Sequence, residues 1–334
     1  MSAPVTAPVT TPVTLPVTER RRAFLVLALG VFAIGWSALF VRWSGVPGWT
    51  SAFWRMTLAQ LVFVPWALAS WRHRDQGRRP SQKAVLAAVI AGAFFAADLA
   101  LFNTAVMVSS AANATLLGTN APIFVALGAW LLYRDRPTRR FWAGFALSFI
   151  GMIAIVGMDL LRHPRLGLGD AMAVGGAACY AGYLLYVRRS RLEIDALTFS
   201  AISGVTASLT LLVICLALGT PLWGYPAHSW WALLGLALVT QVVGHLSVAY
   251  ALGRLPVSVT SIALLGQAPI TALLAVPLLG EGLTALQLLG GGSVIAGIYI
   301  VNRTPRSSSA PVNTPMTAPH LDGVIEPAEQ RPRE

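Results

Sequence analysis

A chain of 334 residues that is 56% hydrophobic and only 11% charged is too apolar for a water-soluble domain, where those shares run near ~45–50% and ~25%. The net charge of +11 invites a nucleic-acid reading, but the basic residues stand in short clusters between apolar runs, a pattern that sets membrane topology. Cys179 and Cys215 lie inside apolar runs without metal-ligand spacing, so neither a disulfide framework nor a zinc site is indicated.

The first residues, MSAPVTAPVTTPVTLPVT, repeat Pro-Val-Thr and cannot bury a core, so 1–22 reads as a disordered tail. Glu19-Arg20-Arg21-Arg22 resembles the start of a secretory signal, yet no small-residue cleavage site follows, and an uncleaved anchor is expected. From Ala23 to Asn302 one apolar stretch follows another, each near the ~20 residues that a helix needs to cross ~30 Å of hydrocarbon. Lipid cannot satisfy free backbone groups, so every span is helical. The expected helices cover 23–43, 47–71, 83–108, 110–133, 140–158, 169–188, 196–218, 229–252, 256–279 and 283–302, and 303–334 is a second disordered tail.

With the N-terminus in the cytoplasm, the inner segments hold 18 Lys and Arg residues: Arg20–Arg22, the cluster 72–83, the cluster 134–140, the cluster 188–191, Arg254, Arg303 and Arg306. The outer segments hold only Arg42, Arg162 and Arg165. An odd number of helices scrambles this alternation, so an all-α fold of ten transmembrane helices with both termini inside is expected.

The chain also repeats itself. Leu116-Leu117-Gly118-Thr119-Asn120-Ala121-Pro122-Ile123 reads as a one-residue-longer version of Leu264-Leu265-Gly266-Gln267-Ala268-Pro269-Ile270, and Asp135, Gly144 and Gly151 stand 146 residues before Glu281, Gly290 and Gly297. Two five-helix repeats, 23–158 and 159–302, follow. Five is odd, so the second copy enters the membrane from the opposite side, the inverted-topology plan of secondary transporters. Each half can take the other's conformation, which makes alternating access a consequence of the symmetry.

Ionisable side chains within the spans are few: Arg55, Asp98 and His245. A charge at the bilayer centre costs at least ~2.5–3.5 kcal/mol unpaired, so each needs a cavity or a partner. Asp98 precedes Pro122 by 24 residues and His245 precedes Pro269 by 24, which makes them symmetry mates, and counting along each helix puts them within ~4 Å of the same depth. They are expected either to line a central cavity, binding a substrate ammonium or exchanging a coupling proton, or to be satisfied structural groups. Gln241 lies one turn before His245 with Tyr250 further along, a stripe that is cavity lining or interhelical glue. Asn103, Phe102, Tyr180, Tyr183 and Trp36 offer polar or stacking faces, or ordinary packing. Arg55 either binds a carboxylate or, as the favoured reading, bridges to Asp98 as a structural ion pair. Pro122 and Pro269 are expected to kink their helices, with Glu281 closing the ninth.

The chain resembles the ten-helix, EamA-like branch of the drug/metabolite transporter superfamily. The resemblance rests on Pro47 followed by Arg55, on Gly92 with Phe102-Asn103-Thr104-Ala105, on Ala111 through Pro122-Ile123-Phe124-Val125-Ala126-Leu127, and on Pro269 ending in Leu278-Leu279-Gly280-Glu281. One departure is Asp135 after Tyr133-Arg134, where the family usually has Glu after Gly. The whole chain is most similar to the bacterial aromatic amino-acid exporter group. That resemblance implies a central cavity walled by predicted helices 1 to 4 and 6 to 9, with 5 and 10 peripheral.

The expected function is therefore secondary export of aromatic and other neutral amino acids and related small metabolites across the inner membrane, as a monomer, in lipid, with protons as a candidate coupling ion. No catalysis, cofactor, metal or nucleic-acid partner is expected. The alternative within transport is a multidrug or other metabolite exporter. The alternative from another class is an intramembrane serine hydrolase using Ser203 and His245 as a nucleophile and base.

Overall fold

The computed structural model describes residues 17–72, 80–108, 138–162 and 168–279, together with positions 114, 117–122, 124, 125, 128, 131, 289, 292, 293, 295–297, 299 and 300. Every regular element among them is a helix. In chain order these are α1 (Val17–Gly35), α2 (Ser37–Ser44), α3 (Gly48–Arg72), α4 (Gln82–Val108), α5 (Arg139–Arg162), α6 (Leu168–Ser190), α7 (Ala196–Ala217), α8 (Ala227–Gly235), a π-helical segment (Leu236–His245), α9 (Leu246–Leu252), α10 (Val257–Ala263), a 3-10 turn (Leu264–Gly266) and α11 (Gln267–Leu279). Among the described residues five helices are long and apolar enough to cross a membrane. Large apolar side chains point outward, among them Leu29 and Phe32 on α1, Leu61 and Trp66 on α3, and Leu209 and Val213 on α7. Water would penalise such a surface, whereas hydrocarbon accepts it.

The first expected helix differs in two ways. It begins at Val17, within the stretch read as a tail, because Glu19 and Arg20–Arg22 form good helix-building polar turns beyond the apolar run. It also breaks at Trp36, where α2 takes over without a side-chain cap. The eighth expected helix is continuous from Ala227 to Leu252, but its middle is wound as a π-helix, which no composition signal announces.

Both anticipated proline sites lie beside a break. Thr119 and Asn120 form a turn just before Ala121 and Pro122, and the 3-10 turn Leu264–Gly266 precedes Pro269, the third residue of α11. Proline is tolerated there because a first-turn N–H has no helical acceptor. Glu281, Asp135 and the stretches read as tails, apart from 17–22, lie outside the described residues.

Small residues bring the helices close together. The buried residues of α4, which packs against α6 and α7, include Ala84, Ala88, Ala91, Gly92 and Ala96. A Cβ at Gly92 would stand 2.3 Å from the Ser203 carbonyl oxygen of α7, and one at Gly48 would stand 2.3 Å from the Thr104 backbone nitrogen. Gly30 of α1 and Gly244 of the π segment meet in the same way, a Cβ on the first reaching the carbonyl oxygen of the second at 2.9 Å. Such crossings are the usual means of membrane helix association, where burial of apolar surface supplies no net drive between helices. Gly297 approaches Gly144 and Ser148 of α5.

The connections gather at two ends. Ser81 donates from its backbone nitrogen and its hydroxyl to the Glu193 carboxylate at 2.9 and 3.0 Å, and Arg191 Nε donates to the Ala249 carbonyl at 3.0 Å. Residues near 81, 191–195 and 249–253 therefore share one end. At the start of α3, Thr50 Oγ1 donates to the Pro221 carbonyl at 3.1 Å and Trp54 Nε1 to the Leu222 carbonyl at 2.8 Å. Trp54 lies 4.5 Å from Trp223 and 4.9 Å from Trp230, edge to face, so an indole cluster closes this other end.

Candidate functional site

Arg55 is the centre of the buried polar groups. It stands on α3 and is 2% exposed. Its Nε donates to Gln241 Oε1 at 3.0 Å, its Nη1 to Ser37 Oγ at 3.2 Å, and its Nη2 lies 3.1 Å from His245 Nδ1. Gln241 and His245 share a face as their spacing suggests, and the π winding of Leu236–His245 is what presents both to α3. π segments inside helices concentrate at functional sites.

His245 Nδ1 has a second neighbour, the Thr240 carbonyl oxygen at 3.0 Å. A guanidinium only donates and a carbonyl only accepts. With its lone pair free, Nδ1 accepts from Arg55; carrying a proton, it donates to Thr240. One nitrogen serves one of these neighbours at a time, so the position of a proton on His245 sets whether it accepts from Arg55 Nη2, while Gln241 and Ser37 hold the rest of the guanidinium.

Aromatic rings wall the same region. Phe95 of α4 lies under the guanidinium at 5.9 Å, stacks on Tyr183 at 4.4 Å and lies 4.8 Å from the His245 ring. Tyr180 stacks on Tyr183 at 5.6 Å and meets His245 edge to face at 6.3 Å. The Tyr180 hydroxyl is buried with no hydrogen-bond partner among the described residues. An unpaired buried hydroxyl is costly, and it marks a place that a water or ligand would satisfy.

Arg55, Ser37, His245 and Tyr180 border a cavity of about 70 Å³, with Gln241, Phe95 and Tyr183 behind them. From the first half Ser37, Arg55, Asp98, Phe102, Thr119 and Pro122 line it; from the second half Tyr180, His245, Ser261, Gln267 and Thr271 do. The cavity is thus shared by the two halves. It holds a few waters or the polar end of a small molecule, being well below the ~300 Å³ of a typical ligand pocket. Asp98 is half-buried at its wall, and Gly176 leaves room for it, since a Cβ there would stand 3.3 Å from Asp98 Oδ1.

The expected Arg55–Asp98 ion bridge is not formed. Arg55 spends three N–H groups on neutral acceptors, and among the described residues nothing hydrogen-bonds to the Asp98 carboxylate. The two charges face the same cavity separately. Pairing Arg55 with Asp98 assumed no neutral acceptors within reach, and it overlooked Ser37, whose hydroxyl sits just past the α1–α2 break.

Other candidates stand apart from the cavity lining. Asn103 is buried and donates to Ser51 Oγ at 3.0 Å, joining α4 to α3. Tyr250 packs under the Arg254 guanidinium at 3.8 Å. Trp36 stacks on Phe40 at 5.8 Å. Pro269 is buried beside Gln267 and Thr271. The Ser203–His245 dyad is absent: Ser203 Oγ donates to the Phe199 carbonyl at 2.8 Å, and no hydrogen bond joins it to His245. Sequence reasoning missed Phe95, Ser37, Gln267 and Thr271. Of these only Gln267 carried a signal, as an amide two residues before Pro269 that matches Asn120 before Pro122. No cluster of three or more His, Cys, Asp or Glu residues fit for a metal occurs among the described residues.

The sequence pattern of the EamA-like transporter family matches residues 21–157 and again 167–303. The threonine/homoserine exporter RhtA of Escherichia coli strain K12 is 27% identical over 271 residues, covering 79% of this chain and 84% of that protein. The "Probable terminal-alkyne amino-acid exporter" of Streptantibioticus cattleyicolor is 27% identical over 300 residues, covering 87% of this chain and 97% of that protein. A solved crystal structure superposes with a TM-score of 0.68 over 84% of this chain and 96% of the other at 19% identity, a likeness of fold.

Proposed function

This chain belongs to the EamA-like transporter family, a multi-pass membrane protein built from two copies of the family unit, and we propose that it exports aromatic and other neutral amino acids by alternating access. The observation that carries the proposal is a cavity between the two halves bordered by one cation, one carboxylate and one histidine inside a helical bundle with an apolar exterior. Charged groups are retained at such depth where they serve a substrate or ion path. Relatives named as amino-acid exporters support the substrate class, and the Phe102 and Tyr180 rings at the cavity wall support the aromatic preference.

The architecture we propose is ten helices in two inverted repeats, both termini cytoplasmic, acting as a monomer in the bacterial inner membrane. The shared end of residues near 81, 191 and 249 supports it, because that end carries Lys83, Arg188, Arg189, Arg191 and Arg254, the positive-inside signature. Asp98 takes a substrate ammonium, and the His245 nitrogen, with its two exclusive neighbours, exchanges the coupling proton.

Flux of radiolabelled L-phenylalanine and L-threonine in proteoliposomes, with and without a pH gradient, tests this. Wild-type flux is expected to rise with the gradient, and Asp98→Asn is expected to lower the initial rate at least about ten-fold, the loss of one charge-assisted contact. Unchanged transport by Asp98→Asn would remove its role, and flux indifferent to the gradient would make the protein a facilitator.

A further inference from the structure

Arg55 and Asp98 border one cavity with opposite charges and no ion pair between them. In a low-dielectric interior that arrangement is expensive, since separated buried charges cost far more than paired ones. Three of Arg55's N–H groups are taken by Gln241, Ser37 and His245. One N–H on each terminal nitrogen remains, and a carboxylate accepts two parallel bonds from such a guanidinium. The Asp98 carboxylate likewise has its acceptor sites open among the described residues.

Building on the exporter reading, we infer that the cavity is a cradle for a zwitterion: Arg55 takes the substrate's carboxylate, Asp98 takes its ammonium, and both charges are required for recognition. A dianion such as a phosphate ester satisfies Arg55 but meets repulsion at Asp98; a simple amine does the reverse. A molecule carrying both charges a few ångströms apart neutralises both walls without adding net charge to the bilayer interior. The polar end fills the present cavity of about 70 Å³, and the cavity widens for the side chain to lie against the apolar lining of Ile34, Leu99, Phe102 and Leu264, which makes no directional demand on its shape. Arg55 changes from a structural bridge into the part of the site that tells an amino acid from an amine.

Counterflow of radiolabelled L-threonine and L-phenylalanine in proteoliposomes of the full chain tests this, with three unlabelled competitors for each: the amino acid, its amide and its N-acetyl derivative. In the wild type the amide and the N-acetyl compound are expected to need about ten- to hundred-fold more material to compete, each having lost one charge-assisted contact. Read as competition for binding of the labelled amino acid to the purified variants, which does not require flux, Arg55→Gln is expected to erase the penalty on the amide while keeping that on the N-acetyl compound, and Asp98→Asn to do the opposite. A merely structural residue would weaken every competitor alike. Equal competition by all three compounds in the wild type overturns the cradle whatever the variants do, and leaves the exporter reading standing. Failure of either amino acid to exchange overturns the exporter reading and the cradle with it.

Discussion

Gly92→Val is expected to prevent recovery of monodisperse protein. The added Cβ would fall 2.3 Å from the Ser203 carbonyl oxygen, 3.0 Å from its carbon and 2.8 Å from Thr206 Cβ. The first two are backbone atoms of a long helix and cannot swing aside as a side-chain tip does. Overpacking a core with a methylene costs typically ~1–3 kcal/mol, and a clash of this depth against backbone exceeds that range. Nor can α4 retreat, since its other side is packed against α6. Size-exclusion profiles and thermal unfolding midpoints in detergent measure the effect. Gly175→Ala is the control, because its Cβ would meet only Leu101 Cδ1 at an ordinary 3.4 Å; a wild-type profile for Gly92→Val would refute the close α4–α7 crossing.

Arg55→Leu is expected to abolish flux while moving the unfolding midpoint far less than Gly92→Val. Two terms oppose each other. Removing the guanidinium strands the Gln241 carbonyl and costs Ser37 a donor, at ~1–3 kcal/mol for a buried group left unsatisfied. It also relieves the desolvation of a guanidinium that sits in no ion pair, while leaving the Asp98 carboxylate without its nearby cation. His245 needs no rescue, because Nδ1 can turn to the Thr240 carbonyl. Transport has no such compensation if Arg55 holds the substrate carboxylate, and a loss beyond about a hundred-fold in initial rate is expected. Arg55→Lys should recover little, since an ammonium cannot serve three separated acceptors and a fourth partner at once. Full transport by Arg55→Leu would return this residue to a purely structural role.

The helical class was legible because lipid leaves one economical choice of backbone and because twenty-residue apolar runs are long, unambiguous signals. The spacing to Pro122 and Pro269 singled out Asp98 and His245, and the structure sets both at one cavity. What the sequence could not convey was partnership. The pairing of Arg55 with Asp98 followed from charge alone, whereas the observed partners are the neutral groups Ser37, Gln241 and His245. Their availability depends on the break at Trp36 and on the π winding of 236–245, and neither leaves a mark in residue types. Phe95 was invisible for a related reason: a phenylalanine in an apolar helix carries no sign of lying beneath a guanidinium.

The two ends of the bundle are fastened by different chemistry. Near Ser81, Glu193 and Arg191 the ties involve formal charges, whose attraction dissolved ions weaken within about a Debye length. Around Trp54, Trp223 and Trp230 the closure is made mostly of flat apolar surface, which ions scarcely affect but whose strength changes with temperature through the heat capacity of water at greasy surfaces. Ionic strength and heat therefore act as separate handles, each addressing one end of the helical bundle.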